Sequence, residues 1–228
     1  ITEETVVSDI TVPEARPITI EKSSEVLELL ERYNASNQGS FTLSPSSLIT
    51  YLRCSLQFYY RHIAGLKESE ELTEDIDLPL FGSILHKAIH LLYEPYRKEN
   101  TTITSEILHA LENHEARIDE NIMEAFREEY FSDIPKDNKM NLSGKNLLIK
   151  DIIRHYIKRL LQVEHKFAPF LPLKLEEAYQ TSVNFKLDEE RKQVVFRGSI
   201  DRVDEISSGI RIVDYKTGKP KKQFKDLP

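Results

Sequence analysis

Two spacings of apolar residues divide the chain. From Ser23 to about Phe167 they recur every three or four positions, the period of a helix with one buried face. After Pro169 and Pro172 they alternate with a period of two, the mark of half-buried strands. In the first regime, Val26, Leu27, Leu29 and Leu30 predict a helix within Ser23–Tyr33. Leu48, Tyr51, Leu52, Leu56, Tyr59 and Ile63 predict a longer one, with Ser44 as N-cap, Pro45 at its first position and Gly65 ending it. A third runs from near Phe81 to Tyr93 or Tyr96, with Ile84, Leu85, Ala88, Ile89, Leu92 and Tyr93 as its apolar side. Two more helical stretches, about Ser105–Tyr130 and Ser143–Phe167, are separated by a polar connection. In the second regime, Glu177–Leu187, Gln193–Asp204 and Ile210–Tyr215 read as strands, joined at Asp188–Arg191 and at Ser207-Ser208-Gly209. Residues 1–40, with Pro13, Pro17 and the polar Asn34–Ser40, read as an arm or linker, and 41–228 as the main domain.

Helices followed by a meander predict an α/β domain: a mixed sheet flanked by helices, with a helical N-terminal half. The 228 residues, 39% hydrophobic and 30% charged, suit a soluble globular chain. No apolar run nears the roughly 20 residues of a membrane span, and no secretory signal is visible, so a cytoplasmic setting and no membrane partner are expected. The first residue is Ile1, which suggests a piece of a longer protein. A single cysteine, Cys54, excludes an intrachain disulfide and is read as a buried helix residue; the seven histidines are too scattered to form a zinc signature. The net charge of −7 weighs against nucleic acid, but it hides an uneven distribution. Glu68–Asp77 is dense in acids and reads as a solvated loop, whereas Lys216–Lys225 carries lysines and no acid.

The informative stretch is Arg197–Lys219. If Ser207-Ser208 is a two-residue turn, Ile206 pairs with Gly209, and counting back sets Asp201 opposite Asp214. Paired residues share a face with Cβ atoms about 4.5–5.5 Å apart. Two carboxylates so placed repel by about 3 kcal/mol at an effective dielectric of 20, unless a cation lies between them. Lys216, two residues past Asp214, projects from the same face. Two acids beside a lysine suit Mg²⁺ or Mn²⁺ and a water-activating chemistry.

Gly198-Ser-Ile-Asp201 followed by Ile212-Val-Asp214-Tyr-Lys216-Thr-Gly-Lys219 resembles two motifs of the RecB-like PD-(D/E)XK nucleases. The resemblance extends upstream to Phe81-Gly-Ser-Ile-Leu-His86, and to Leu43-Ser-Pro-Ser-Ser-Leu48, followed by Tyr51-Leu-Arg-Cys54 and Phe58-Tyr-Tyr, as the helix opening the nuclease domain of AddB-type and CRISPR-associated relatives. It implies a restriction-endonuclease-like core and a Mg²⁺- or Mn²⁺-dependent deoxyribonuclease, an exonuclease before an endonuclease, within a longer helicase–nuclease repair protein that has a partner subunit. It also implies that His86, Asp201, Asp214 and the backbone carbonyl of Tyr215 bind metal, that Lys216 serves the attacking water, and that Glu177 (or Glu176) supports them. A non-catalytic DNA-binding or scaffold module on the same fold is the alternative. The family's Gln-x-x-x-Tyr motif is not matched: Gln223 is followed four residues later by Leu227, so the domain is expected to be truncated. With one cysteine, no iron–sulfur cluster is expected.

Other residues carry less. His90 shares the face of His86, but a two-histidine site is the less favoured reading. Tyr51, Tyr59 and Tyr60 read as core before base-stacking platforms. Lys219, Lys221 and Lys222 could follow a phosphate backbone or be a solvated tail. Arg197 and Arg202 could point to phosphates or pair with Asp204 and Glu205.

Overall fold

The computed structural model describes residues 18–67, 76–131, 142–187 and 189–218. Seven α-helices precede three strands among these residues: α1 Ser24–Glu31, α2 Pro45–Arg53, α3 Ser55–Phe58, α4 Leu78–Lys98, α5 Ser105–Asn113, α6 Glu115–Glu129, α7 Lys145–Glu164, β1 Phe170–Leu187, β2 Glu190–Ile206 and β3 Gly209–Val213. The fold is α/β, a small sheet flanked by helices behind a helical N-terminal half, as expected of a restriction-endonuclease-like core. The sheet order is β1-β2-β3. No helix among the described residues is long and apolar enough to cross a membrane.

Packing divides the chain into two units, residues 1–67 with 182–195, and 68–181 with 196–228. In the first, Asn34 is buried; its side chain accepts from the backbone of Gln193, and Lys192 pairs with Glu31. The Tyr33 hydroxyl donates to the carbonyl of His62 at 2.6 Å. Ser44 caps α2 as its sequence requires, accepting from Ser47 N while the Ser47 hydroxyl accepts from Ser44 N, with Pro45 in the first turn.

The single helix expected up to Ile63 is broken. Cys54 takes an extended conformation, φ −160° and ψ 105°, and its sulfur accepts from Gln57 N to cap α3, which runs into a π-helical turn, Tyr59–Ile63. Cys54 is therefore exposed, not buried. The expected apolar face is not a buried one: Leu48, Tyr51 and Leu52 are exposed, Leu56 and Tyr59 half-buried, and only Ile63 of that set is buried; Tyr60, read as core, is exposed too.

The second unit holds the core. α4 starts where Asp77 accepts from Leu80 N at 2.8 Å, and it buries Ile84, Leu85, Ala88, Ile89, Leu92 and Tyr93, the predicted stripe. These pack with Leu108 and Leu111 of α5, Ile118, Ile122 and Phe126 of α6, Ile153, Ile157 and Leu161 of α7, and Phe170 and Leu175 of β1. Each such aliphatic side chain contributes roughly 1.5–3 kcal/mol on burial. The stretch 105–130 is two helices, not one: His114 leaves helical geometry (ψ 70°) and its Nδ1 accepts from Arg117 N to cap α6. β1 begins at Phe170, earlier than the alternation suggested, because its first residues are apolar on both faces, Phe170 and Pro172 buried and Leu171 and Leu173 half-buried. The polar connection 132–141, the arm up to residue 17 and most of the acidic run (68–75) lie outside the described residues.

Candidate metal centre

β2 and β3 pair in the predicted register, from Ile206 with Gly209 to Arg202 with Val213. The ladder then stops one pair short of Asp201 and Asp214. Instead, Asp201 Oδ2 accepts from Tyr215 N at 2.6 Å, which ties the chain after β3 to the acid on β2. The two aspartates diverge: the Asp201 side chain is 11% exposed, that of Asp214 58%.

His86 comes from the first half of α4. Its Nε2 lies 3.0 Å from the Tyr215 carbonyl. A carbonyl only accepts, so Nε2 carries the hydrogen, and in the neutral ring Nδ1 is left as a lone pair. That nitrogen faces Glu176 Oε1 at 3.5 Å and Asp201 Oδ2 at 3.6 Å. A lone pair directed at two carboxylates is an arrangement of acceptors alone. It becomes favourable when a proton or a metal cation sits among them. The donor atoms of His86, Glu176 and Asp201 all lie within 4.8 Å of one another. One imidazole and two carboxylates suit a hard or borderline divalent ion such as Mg²⁺ or Mn²⁺.

The electrostatics agree. His86 has its pKa raised, first by its hydrogen bond with Glu176, against the opposing effect of burial, and further by the charge of Asp201. Asp201 is also raised, chiefly by burial, with Glu176 and Asp214 pushing the same way against Tyr215 N and His86. The neighbouring carboxylates thus favour a proton on His86, and they add to burial in favouring one on Asp201.

Glu176 was the less marked of two neighbouring acids. Its φ of 50° places it in the left-handed region, unusual for a non-glycine residue within a strand, and this re-aims its side chain. Glu177, the residue named from the sequence as support, pairs with Lys174 at 3.0 Å and is not part of the cluster. The composition held a signal, two adjacent acids, but period-two parity gave no means of choosing between them.

Asp214 and Lys216 pair with each other, Lys216 Nζ donating to Asp214 Oδ1 at 2.6 Å, both well exposed. They border a groove of about 520 Å³ lined by Tyr156, Leu160, Val163 and Ile212, whereas His86 and Glu176 open on a polar cleft of about 430 Å³ with Ser83, Lys87 and His90. Asp214 is near enough for its charge to act on Asp201. The Tyr215 carbonyl, read as a ligand, accepts from His86. His90 faces Glu94 at 4.0 Å rather than the cluster, and burial lowers its pKa.

Between these residues the sequence left Arg202 open, and its surroundings decide against phosphate. It is fully buried, pairing with Glu164 of α7 and with Asp204 at 3.0 Å. Arg211 joins both acids, at 2.8 Å to Glu164 and 2.7 Å to Asp204. Arg202, Asp204 and Arg211 share one face of the hairpin, two by strand alternation and the third as the cross-strand partner of Asp204. The guanidinium of Arg202 also lies over the rings of Tyr93, Phe170 and Tyr215. Burial opposes its charge, but Tyr215, Tyr93 and the two carboxylates more than offset this, and its pKa is raised. Arg202 thus anchors the strand that carries Asp201. Arg197 is exposed. Lys219, Lys221, Lys222 and Gln223 lie outside the described residues.

An imidazole from an early helix and two acids from a late meander thus meet at one point of an α/β domain, as a candidate site for a divalent ion. Residues 42–228 match the profile of the PD-(D/E)XK nuclease superfamily, and the chain belongs to that superfamily. A search of curated proteins finds no match.

Proposed function

We propose that this domain is a metal-dependent deoxyribonuclease, acting as an exonuclease within a longer helicase–nuclease repair protein. The observation that carries the reading is the His86 Nδ1 lone pair facing Glu176 and Asp201. His86, Asp201 and Glu176 would hold a Mg²⁺ or Mn²⁺ ion, with Asp214 at its margin. When bound, such an ion lowers the pKa of a water and stabilises charge on a phosphate. Tyr215 N fixes Asp201, and the Tyr215 carbonyl fixes the His86 ring, so two of the three donors are each held by an outer partner. Lys216 supplies an exposed ammonium beside Asp214, able to orient the attacking water and to counter phosphate charge. Water oxygen attacks phosphorus and the bond to the 3′ oxygen breaks, leaving a 5′-phosphate and a 3′-hydroxyl. The repair setting and the partner subunit rest on the AddB-like pattern of residues 43–60.

A second reading is a non-catalytic DNA-binding or scaffold module. It is favoured by one observation, that Asp214 and Lys216 pair with each other outside the three-donor cluster. Degradation of linear DNA with Mn²⁺ separates the two. The catalytic reading expects activity in the wild-type chain and a loss of about 10²-fold or more in Asp201→Asn and Lys216→Ala. Equal rates in all three chains would discard it. DNA retention without cleavage by any of them would support the second.

A further inference from the structure

The seven histidines gave no zinc signature by spacing, yet three side chains outside the site above converge. His109 and Glu112 lie three residues apart on α5 and so share a face. His165 is the C-cap of α7. Their donor atoms all lie within 4.8 Å of one another. The rings of His109 and His165 are 4.3 Å apart between centroids, and His165 Nε2 is 3.9 Å from Glu112 Oε2.

We propose that His109, Glu112 and His165 form a binding site for a transition-metal dication, best suited to Zn²⁺, that clips α5 to the end of α7. Four observations converge on it. His165 Nε2 is buried and has no hydrogen-bond partner, although a buried ring nitrogen ordinarily has one. It points toward a carboxylate oxygen too distant for a hydrogen bond but close to the separation of two ligands on one ion, about 3.4 Å for tetrahedral zinc with bonds of about 2.0–2.1 Å. Gln162 Nε2 donates to the other oxygen, Glu112 Oε1, at 2.7 Å, which orients the carboxylate as an outer partner orients a metal ligand. The carbonyl end of α7 directs negative potential at the same place.

Two imidazoles with one carboxylate form a zinc donor set that leaves a fourth position for water. Mg²⁺ is the poorer fit, because it takes oxygen ligands in octahedral array. His165 also directly follows Glu164, which holds Arg202 and Arg211, so an ion here would brace the end of the helix that anchors the Asp201 strand.

The test is a Zn²⁺ titration by calorimetry near pH 7.5, with Zn²⁺ alone as the probe. To remove the His86 centre from the measurement, the chain carries His86→Ala and Asp201→Asn. The proposal expects one Zn²⁺ per chain in that background, with affinity falling at least tenfold on adding His165→Gln or His109→Gln. His109 is exposed, so His109→Gln should leave the metal-free thermal midpoint unchanged while abolishing the rise that Zn²⁺ causes. In the otherwise unaltered chain, the same substitution should lower the Zn²⁺ stoichiometry by one. No Zn²⁺ binding in the His86/Asp201 background, or affinity indifferent to both histidine substitutions, overturns it. Because the background lacks the nuclease ligands, neither result bears on the function proposed above.

Discussion

Replacing Glu164 by glutamine tests the buried charge cluster that holds Arg202, the strand neighbour of Asp201. The Glu164 side chain is 4% exposed and pairs with two guanidiniums, those of Arg202 and Arg211, while Asp204 provides the other anion of the cluster among the described residues. At an effective dielectric of 20, each close pair contributes about 4 kcal/mol of attraction. Glu164→Gln therefore removes about 8 kcal/mol of gross attraction. Several kcal/mol of this is offset, because the carboxylate no longer has to be desolvated. What remains is a net loss of about 3–5 kcal/mol, the usual cost of leaving one partner of a buried pair uncompensated. Urea unfolding followed by circular dichroism would measure it, with an unchanged slope showing that the unfolded state is not altered. Glu28→Gln on exposed α1 should stay within about 0.5 kcal/mol of wild type. Adding Arg202→Met to Glu164→Gln should recover part of the loss, since the uncompensated charge goes with it. A cost below 1 kcal/mol for Glu164→Gln would refute the reasoning, and would mean that water or a rearranged Asp204 neutralises both arginines.

Further outcomes are expected. Leu92→Ala, at a position wholly buried under α4, should destabilise by about 2–5 kcal/mol in the same assay. Glu94 accepts two bonds from Arg97, at 2.8 and 2.9 Å, and this pairing first, with Lys98 in support, pulls its pKa down to about 2. Its pKa is depressed on folding, so the stabilisation is present above the ordinary value near 4.5 and is lost as pH falls toward 2. Glu94→Gln should thus cost about 1 kcal/mol at neutral pH, a cost that shrinks below pH 4.5 and is gone once the pH is below 2. Glu176→Gln should weaken Mn²⁺ binding about tenfold, whereas Glu177→Gln should leave it unchanged, as read by calorimetric titration.

The sequence was most legible where local rules act alone. Ser44-Pro45 started a helix, the stripe from Ile84 to Tyr93 was buried as spaced, and the Ser207-Ser208 turn set the β2–β3 register. It was least legible where a single residue leaves regular geometry. Cys54 and His114 each break a periodic stretch by offering their own side chain as a cap, which a count of apolar spacings does not register. Glu176 does the same to a strand, since one left-handed residue exchanges the roles of two adjacent acids. The register of the hairpin was right, yet it did not hold Asp214 against Asp201, because the hydrogen bond from Tyr215 N replaces the next rung of the ladder. Arg202 and Arg211 look like surface charges in sequence. Part of what encloses them, Glu164 of α7, is long-range, and no spacing within the meander encodes it.

The central claim is that His86 and Asp201 share a divalent ion, and equilibrium Mn²⁺ binding tests it most directly. Titrated by calorimetry near pH 7.5, the wild-type chain should bind Mn²⁺, and His86→Ala and Asp201→Asn should each weaken that binding at least tenfold while remaining folded by circular dichroism. Mn²⁺ affinity that is the same in the wild type and both variants would contradict the account.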